Sequence, residues 1–362
     1  MSRTRKLCTA LLFCVGLLAL GGTTATAADY YQGKRLTVLV NYAAGGPTDI
    51  EARLFARHLA KYVGGKPTMI VQNMDGGGGL IAANYLGEVG PKDGTMVGYF
   101  TGTAWAGISQ ASAFHVDYKT YEFVAYEPGT TVYFMRADVP PGMKRPEDIV
   151  KAKGLIAGGL GANNSKDLLI RLTLDMLGMP YRYITGYQSS TRARHALEQG
   201  EINLYSESPP SYRAVIAPSM VKSGEVMPLW YDPGWNGESF SVPKQVADLP
   251  LMSFPDLYKK IKGTMPSGKL WEAYLSILTV NSGMQRLIVL PPKAPKAALA
   301  ALQAAVLKLN DDKEFAKDAD KAVGFVPEYV AGPNTGNQVR KALTTHPEVQ
   351  AFLDDYIKHP KH

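Results

Sequence analysis

Two adjacent glycines and the helix-start signal behind them form the part of this sequence best suited to bind an anion. Gly45 and Gly46 allow a sharp backbone turn because neither carries a Cβ. Thr48 then opens a Thr-x-x-Glu pattern with Glu51, which is the signature of a helix capping box. The first turn of a helix presents unpaired N–H groups and the positive end of the helix dipole. The segment therefore predicts an anion-binding turn.

The element in front of this turn is predicted to be a buried strand. Residues 36–40 are almost all apolar and β-branched, as in a parallel strand covered on both faces. In open α/β sheets, ligands bind outside the carboxyl ends of the strands. We therefore expect the anion site at that edge of the first sheet.

The other motifs that carry chemistry are incomplete. Glycines 76–79 with Ala82 fit the dinucleotide pattern Gly-x-Gly-x-x-Ala, but they fit a tight turn equally well and lack the acidic residue expected downstream. Ser219 and Lys222 match Ser-x-x-Lys without its companion motifs. The six histidines show no metal-ligand spacing. We predict no catalytic residue, no metal site and no cofactor.

Residues 1–27 have the three regions of a secretory signal peptide. Three basic residues precede an apolar core at residues 7–20, and residues 25–27 read Ala-Thr-Ala. An uncleaved anchor would need about 20 apolar residues, and a lipoprotein would need a small residue where Phe13 precedes Cys14. We expect a cleaved signal and a mature protein in the periplasm.

Composition narrows the classes of function. Both cysteines, Cys8 and Cys14, lie within the signal, so the mature chain has no thiol for a disulfide, a metal or a nucleophile. The whole chain carries a net charge of +7, and its basic residues are dispersed. A nucleic-acid-binding protein would show a clustered basic stripe instead, so we predict no nucleic-acid partner.

The order of elements indicates an α/β fold. Strand and helix signals alternate along most of the chain, which favours sheets covered by helices. Residues 118–136 have no helical period and are predicted to be extended chain that crosses between two lobes. The segment 246–278 is harder to place; it could narrow a pocket or serve as a docking surface.

Five motifs in order resemble the substrate-binding proteins of tripartite tricarboxylate transporters, a Bug-like family of periplasmic receptors. They lie at residues 41–49, 73–79, 91–95, 159–165 and 180–202, which include Asn-Tyr-Ala-Ala-Gly-Gly-Pro-Thr-Asp and Pro-Lys-Asp-Gly-Thr. Ala43 and Ala44 replace the prolines that are usual in the first motif. The resemblance covers about residues 30 to 230 well and the helical C-terminus loosely.

This resemblance implies a two-lobed, type II-like periplasmic-binding-protein fold. Each lobe would be a mixed sheet flanked by helices, and crossing strands would join them. Residues 28–127 plus 285–362 would form lobe 1, and residues 128–284 would form lobe 2. A ligand carboxylate would be held mainly by backbone amides and waters between the two lobes.

The resemblance also implies a set of ligand-binding residues. Tyr42 would line the pocket, the backbone at residues 44–48 would hold the carboxylate, and Thr48 and Asp49 would fix the loop. Thr101 and Thr103 would touch the ligand or cap an element. The full predicted set is Tyr42, Ala44, Gly45, Gly46, Pro47, Thr48, Asp49, Thr101, Thr103, Asn164, Ser165, Gly186, Tyr187, Glu207 and Ser208.

The predicted function is capture of a small organic carboxylate and its delivery to a two-component integral membrane permease. The protein is expected to be a monomer and not an enzyme. Two alternatives stay open: a receptor that presents its ligand to a membrane kinase, and an exported enzyme on the same fold. Di- and tricarboxylates, aromatic acids and small zwitterions all fit the sequence.

Overall fold

The chain folds into two mixed β-sheets flanked by helices, which confirms the predicted α/β class. The computed structural model describes residues 30–187, 189–344 and 347–358. The predicted signal peptide lies outside these residues. None of the helices in the described ranges is both long and apolar enough to cross a membrane.

Thirteen strands are assigned in the described residues, eleven of them in the two main sheets. The strands are β1 (Arg35–Val40), β2 (Thr68–Asn73), β3 (Met96–Thr101), β4 (Glu122–Glu127), β5 (Val132–Arg136), β6 (Leu155–Gly158), β7 (Tyr181–Ile184), β8 (Leu204–Glu207), β9 (Val226–Tyr231), β10 (Gly234–Trp235), β11 (Phe240–Ser241), β12 (Arg286–Leu290) and β13 (Val330–Ala331). Strands β10 and β11 pair only with each other in a small antiparallel hairpin.

The helices cover both main sheets. They are α1 (Pro47–Leu59), α2 (Leu80–Glu88), α3 (Thr103–Ser109), α4 (Ser165–Leu177), α5 (Ser190–Glu198), α6 (Pro209–Ser211), α7 (Phe254–Lys262), α8 (Lys269–Asn281), α9 (Lys296–Asn310), α10 (Lys313–Val323), α11 (Thr335–Ala342) and α12 (Pro347–Lys358). A π-helical segment, Tyr212–Val221, follows α6 directly.

The first sheet has six strands in the order β13-β4-β12-β3-β1-β2. Strands β2, β1 and β3 run parallel, whereas β12, β4 and β13 pair in antiparallel fashion. Leu36 and residues 38–40 of β1 are fully buried, as the apolar run predicted. The carboxyl ends of β1 and β3 therefore meet at one edge of this sheet, directly before α1 and α3.

The second sheet has five strands in the order β7-β6-β8-β5-β9. Strands β7, β6 and β8 are parallel, and β5 pairs antiparallel with both β8 and β9. Strand β8 begins at Leu204. Directly before it, the Asn203 side chain accepts the N–H of Ile156 and donates to the carbonyl of Gly154, at 2.8 Å each.

Helix α8 was not predicted, although it lies largely within the segment 246–278. Its buried residues Ala273, Tyr274, Ile277 and Leu278 pack in the main hydrophobic core. The helix contacts α4, α12 and α3. Residues 269–278 of the segment therefore belong mostly to the hydrophobic core and do not form a surface loop.

The chain passes between the two sheets at two neighbouring places. It crosses first from β4 to β5 and returns from α8 into β12. The two crossings are bonded to each other, since Gly129 N–H donates to the carbonyl of Ser282 at 2.7 Å and Gln285 Nε2 donates to that of Thr130 at 2.8 Å. The exact division into lobes stays a prediction.

A buried carboxylate, Asp232, stands beside the first crossing. The hydroxyl of Tyr133 donates to Oδ2 at 2.9 Å and that of Tyr274 donates to Oδ1 at 3.2 Å, while Asp232 N–H donates to Thr131 O at 3.0 Å. Burial raises the pKa of Asp232 to about 7, although the tyrosine hydrogen bonds favour the ionised form.

This shift predicts a specific pH dependence of stability. Because the folded-state pKa is above the ordinary value, the contribution of Asp232 to the free energy of unfolding falls as pH rises from about 4 to about 7. Asp232→Asn carries no titrating proton. The stability of the wild type relative to this variant should therefore drop by on the order of 4 kcal/mol between pH 4 and pH 8 in urea unfolding. A pH-independent difference would contradict the assignment.

Candidate functional site

Helix α1 begins two residues earlier than the sequence pattern predicted, and the predicted capping box is wrong. Gly46 is the N-cap and Pro47 the first helical residue, a position that suits proline because its missing N–H would be unpaired there anyway. The Thr48 hydroxyl instead lies 2.9 Å from the Thr101 hydroxyl. Glu51 forms a buried ion pair with Arg286.

The first turn of α1 has free backbone donors. Its first helical hydrogen bond runs from Ile50 N–H to Gly46 O at 3.0 Å, so the N–H groups of Thr48 and Asp49 precede it. No side chain caps this end of the helix. Four N–H groups at any helix start need external partners. Here the turn sits at the carboxyl edge of β1 and β3, where a bound anion can supply them.

Asp49 holds the glycine turn in place. Its Oδ2 accepts the Gly45 N–H at 2.8 Å and the Arg53 guanidinium at 2.9 Å. Burial favours a higher pKa for this carboxyl, but the bonds from Arg53 and Gly45 outweigh it and hold the pKa below its ordinary value. The negative charge of Asp49 is therefore paired with Arg53, which agrees with the predicted loop-fixing role.

Asn41 fastens the end of β1 to the end of β3. Its amide Oδ1 accepts Thr101 N–H at 3.0 Å, and its Nδ2 donates to Thr101 O at 2.9 Å. The Asn41 side chain also lies so close to Gly79 that a Cβ there would overlap Nδ2. Buried Asn41 thus sets the separation of three loops. It is the first residue of the motif at residues 41–49, but sequence reasoning assigned it no role.

The second sheet presents a similar loop and helix start. Asn164 caps α4, with its Oδ1 accepting the Lys166 N–H at 3.0 Å. The Ser165 hydroxyl donates to Asn281 Oδ1 at 2.7 Å in a buried position. Both predicted residues are therefore placed at the edge of this sheet, but their side chains are used to fix the loop.

Asp167 repeats the arrangement of Asp49, and sequence reasoning did not identify it. Each is the third residue of its helix. Asp167 Oδ2 accepts the Gly161 N–H at 2.9 Å and the Tyr183 hydroxyl at 2.5 Å. Burial raises the pKa of Asp167 to about 6, against the effect of these bonds. The signal available in the sequence was the repeated order of glycine loop, helix start and Asp.

The glycine loops at the edge of the first sheet (residues 41–49 and 76–79) and the loop before α4 in the second sheet form two loop systems that lie close together. The indole Nε1 of Trp105 in α3 donates to the carbonyl of Asn163, just before α4, at 2.8 Å. Burial raises the pKa of Tyr42 to about 12, with a further contribution from the charge of Asp167. The Tyr42 hydroxyl donates to Gly78 O at 3.3 Å. Tyr42 therefore lies against the glycine loop at residues 76–79, and the charge of Asp167 acts on its hydroxyl.

A buried charged cluster underlies the first loop system. Arg286 at the start of β12 is paired with Glu51 and acted on by the charge of Glu127. Burial raises the pKa of Glu127, and neighbouring Glu51 raises it further. The Tyr99 hydroxyl is 3.4 Å from Glu127 Oε2. The charge of this guanidinium, which was missed from the sequence, is offset within the cluster by Glu51.

Two of the remaining predicted residues use their hydroxyl groups for contacts within the protein, and two others are buried at the end of β8. Thr103 is buried and its hydroxyl accepts a hydrogen bond from Tyr118 at 2.7 Å, so it serves the fold. The Tyr187 hydroxyl donates to Glu201 at 2.8 Å. Glu207 and Ser208 are buried at the carboxyl end of β8. Ligand contacts stay predictions for the whole set, which also includes Ala44 in the first turn and Gly186 after β7.

In the part of the chain that the structure describes, no group of three or more His, Cys, Asp or Glu side chains is arranged to hold a metal ion.

A matched pair of glycine substitutions tests the loop packing around Asn41. Gly79→Ala places a methyl group against Asn41 Nδ2, whereas Gly78→Ala points into open space. Both residues have positive φ, +95° and +66°, so both variants carry backbone strain. Gly79→Ala should cost about 1–3 kcal/mol more in urea unfolding because of the overlap. Equal losses would show that Asn41 does not set the loop spacing.

Sequence comparison gives one partial relative. No protein-family model matches the chain. A UPF0065 protein encoded in the TAR-I ttuE-ttuC' intergenic region of Agrobacterium vitis is 31% identical over 171 residues, which cover 44% of this chain and 48% of that protein. The match thus spans about half the length of the curated relative.

Several solved structures share the whole architecture. The periplasmic binding protein BugD has 18% identity and a TM-score of 0.61, with 90% of this chain and 96% of that chain covered. MatC from Rhodopseudomonas palustris, solved with malate, has 17% identity and a TM-score of 0.59, covering 89% and 98%. An R. palustris protein solved with adipate has 16% identity and a TM-score of 0.63, covering 90% and 95%.

BugD is a periplasmic binding protein, and the other two neighbours each have a carboxylate bound. Their identities below 25% make the likeness one of fold. The predicted resemblance is confirmed at that level: the chain has the fold of the Bug-type periplasmic binding proteins.

Proposed function

We propose that this protein is a periplasmic solute-binding protein that captures a small organic carboxylate and delivers it to a tripartite tricarboxylate-type membrane permease. The observation that carries the proposal is the uncapped first turn of α1. Its Thr48 and Asp49 N–H groups lie at the sheet edge where the two loop systems meet. Two parallel N–H donors suit the two oxygens of a carboxylate.

The electrostatics of this turn support an anionic ligand. A helix N-terminus stabilises a nearby negative charge by about 0.3–1 kcal/mol, and more when partly buried. The Asp49 carboxylate, which would otherwise repel an anion, is paired with Arg53. Specificity for an anion thus needs no exposed arginine in the cleft.

The second sheet supplies the opposite wall of the binding site. Its loop between β6 and α4 is held by Asp167 and contacts α3 through Trp105. A ligand between the two loop systems would be enclosed when the crossings at Gly129 and Gln285 allow the halves to close. Malate in MatC and adipate in the R. palustris protein support the class of ligand.

A substitution at the N-cap separates ligand binding from folding. Gly46 has a φ of −82°, and an added Cβ would lie 3.4 Å from the Ala43 carbonyl oxygen, an ordinary contact that allows a side chain. In Gly46→Asp, the new carboxylate would cap the N–H groups of Thr48 and Asp49 and compete with the ligand. Gly46→Ala has a Cβ but no oxygen and is the matched control. The chain after residue 27 should be screened against organic acids by thermal shift.

The expected result is stabilisation of the wild type by at least one carboxylate. A ligand at 100 times its Kd adds about 2.7 kcal/mol to the free energy of unfolding, which is visible as a higher Tm. The shift should persist in Gly46→Ala and disappear in Gly46→Asp, whose own Tm should not fall. Binding that survives in Gly46→Asp, or hits confined to neutral compounds, would contradict the proposal.

A further inference from the structure

We propose that a basic face beside the second sheet binds the surface of a membrane that contains anionic phospholipids. The basic face consists of residues 144–153 and 254–262, which together carry seven basic side chains: Lys144, Arg145, Lys151, Lys153, Lys259, Lys260 and Lys262. This inference goes beyond the proposed function, because it concerns a different surface and does not depend on carboxylate capture.

The fold brings the two halves of the basic face together. The 3₁₀ segment Pro146–Lys151 lies shortly before β6 and contacts α7. Lys260 in α7 forms an ion pair with Glu147 in the 3₁₀ segment. Because the two runs are far apart in the sequence, basic residues that are dispersed along the chain become one surface in the structure.

The basic face accounts for the net positive charge of the mature chain. It holds seven basic and three acidic residues, a net charge of +4. The whole chain has 39 basic and 32 acidic residues, and three of the basic ones lie in the predicted signal, so the residues after position 27 also carry +4. The rest of the mature chain is therefore balanced in charge, and the excess is concentrated on this face.

The acidic residues of the basic face leave four lysines unpaired. Glu147 pairs with Lys260, and Asp148 pairs with Lys151 at 3.0 Å. Within the described part of the chain, the exposed lysines of the face that form no ion pair are Lys144, Lys153, Lys259 and Lys262. Their positive charges are available to an external partner.

Apolar groups beside these charges favour a lipid surface as the partner. Val150 and Met265, within or just after the two runs, are 39% and 43% exposed. A cavity of about 460 Å³ lies between the two runs and β9, and its lining includes Leu229 and Leu251. Lysines interspersed with exposed apolar side chains suit the headgroup region of an anionic bilayer, which attracts the charges and accommodates the apolar groups.

The basic face lies away from the predicted ligand-binding loops. The 3₁₀ segment precedes β6, whereas the loop with Asn164 and Ser165 follows it, so the two lie toward opposite ends of this strand. A protein held on a membrane through the basic face would therefore leave these loops accessible to a ligand.

Vesicle flotation of the protein that begins after residue 27 tests this inference. The predicted signal must be absent because its apolar core would itself bind vesicles. The wild type should float at low salt with phosphatidylcholine vesicles that contain about 30% phosphatidylglycerol, and not with phosphatidylcholine alone. Binding should be lost in about 1 M salt, where the Debye length falls to about 3 Å.

Two triple variants with the same change of charge locate the binding surface. Replacement of Lys144, Lys259 and Lys262 by Gln should weaken vesicle binding by on the order of a hundredfold, since each lysine near an anionic surface contributes about fivefold. The matched control replaces three exposed lysines of α9 and α10, Lys308, Lys313 and Lys321, by Gln and should bind like the wild type. Both variants should keep the thermal shift produced by a carboxylate, which separates this test from that of the proposed function.

Hydrogen–deuterium exchange of the wild type provides a test that needs no variant. Anionic vesicles should slow exchange at residues 144–153 and 254–262 more than elsewhere. Protection confined to other segments, equal losses in the two triple variants, or equal binding to neutral vesicles would overturn the proposal. Failure to bind anionic vesicles would also overturn it and would leave a protein with an acidic surface as the partner of this face.

Discussion

The free N–H groups in the first turn of α1 are the constraint on which this account depends. A helix start must satisfy its leading donors with a side chain, water or a ligand. Here glycine occupies the N-cap and proline the first helical position, so the N-cap residue supplies no capping oxygen. The hydroxyl of Thr48, which could have taken that role, is directed to Thr101. The vacant donors are therefore a property of the fold.

The surrounding residues keep this turn rigid through hydrogen bonds. Asn41 joins β1 to β3 through two hydrogen bonds, and Asp49 joins the glycine turn to α1. Asp167 does the same for the glycine loop of the second sheet. A preorganised site loses less entropy when the ligand binds.

Local patterns in the sequence predicted the fold class, the buried run of β1 and the glycine turn, because these depend on neighbouring residues. The capping box was wrong because Pro47 fixes the helix start earlier than the Thr48 pattern suggested. Arg286 and Asp167 were missed because their roles depend on partners distant in sequence: Arg286 pairs with Glu51 across 235 positions. Helix α8 was hidden because its segment begins with turn-forming residues.

The central claim is best tested by amide chemical shifts. In a ¹H–¹⁵N spectrum of the protein that begins after residue 27, addition of a bound carboxylate should move the Thr48 and Asp49 N–H signals downfield and slow their exchange with solvent, because the ligand becomes their hydrogen-bond acceptor. The Gly45 N–H, already bonded to Asp49, should change little. Unchanged Thr48 and Asp49 signals, with the largest shifts elsewhere, would contradict the account.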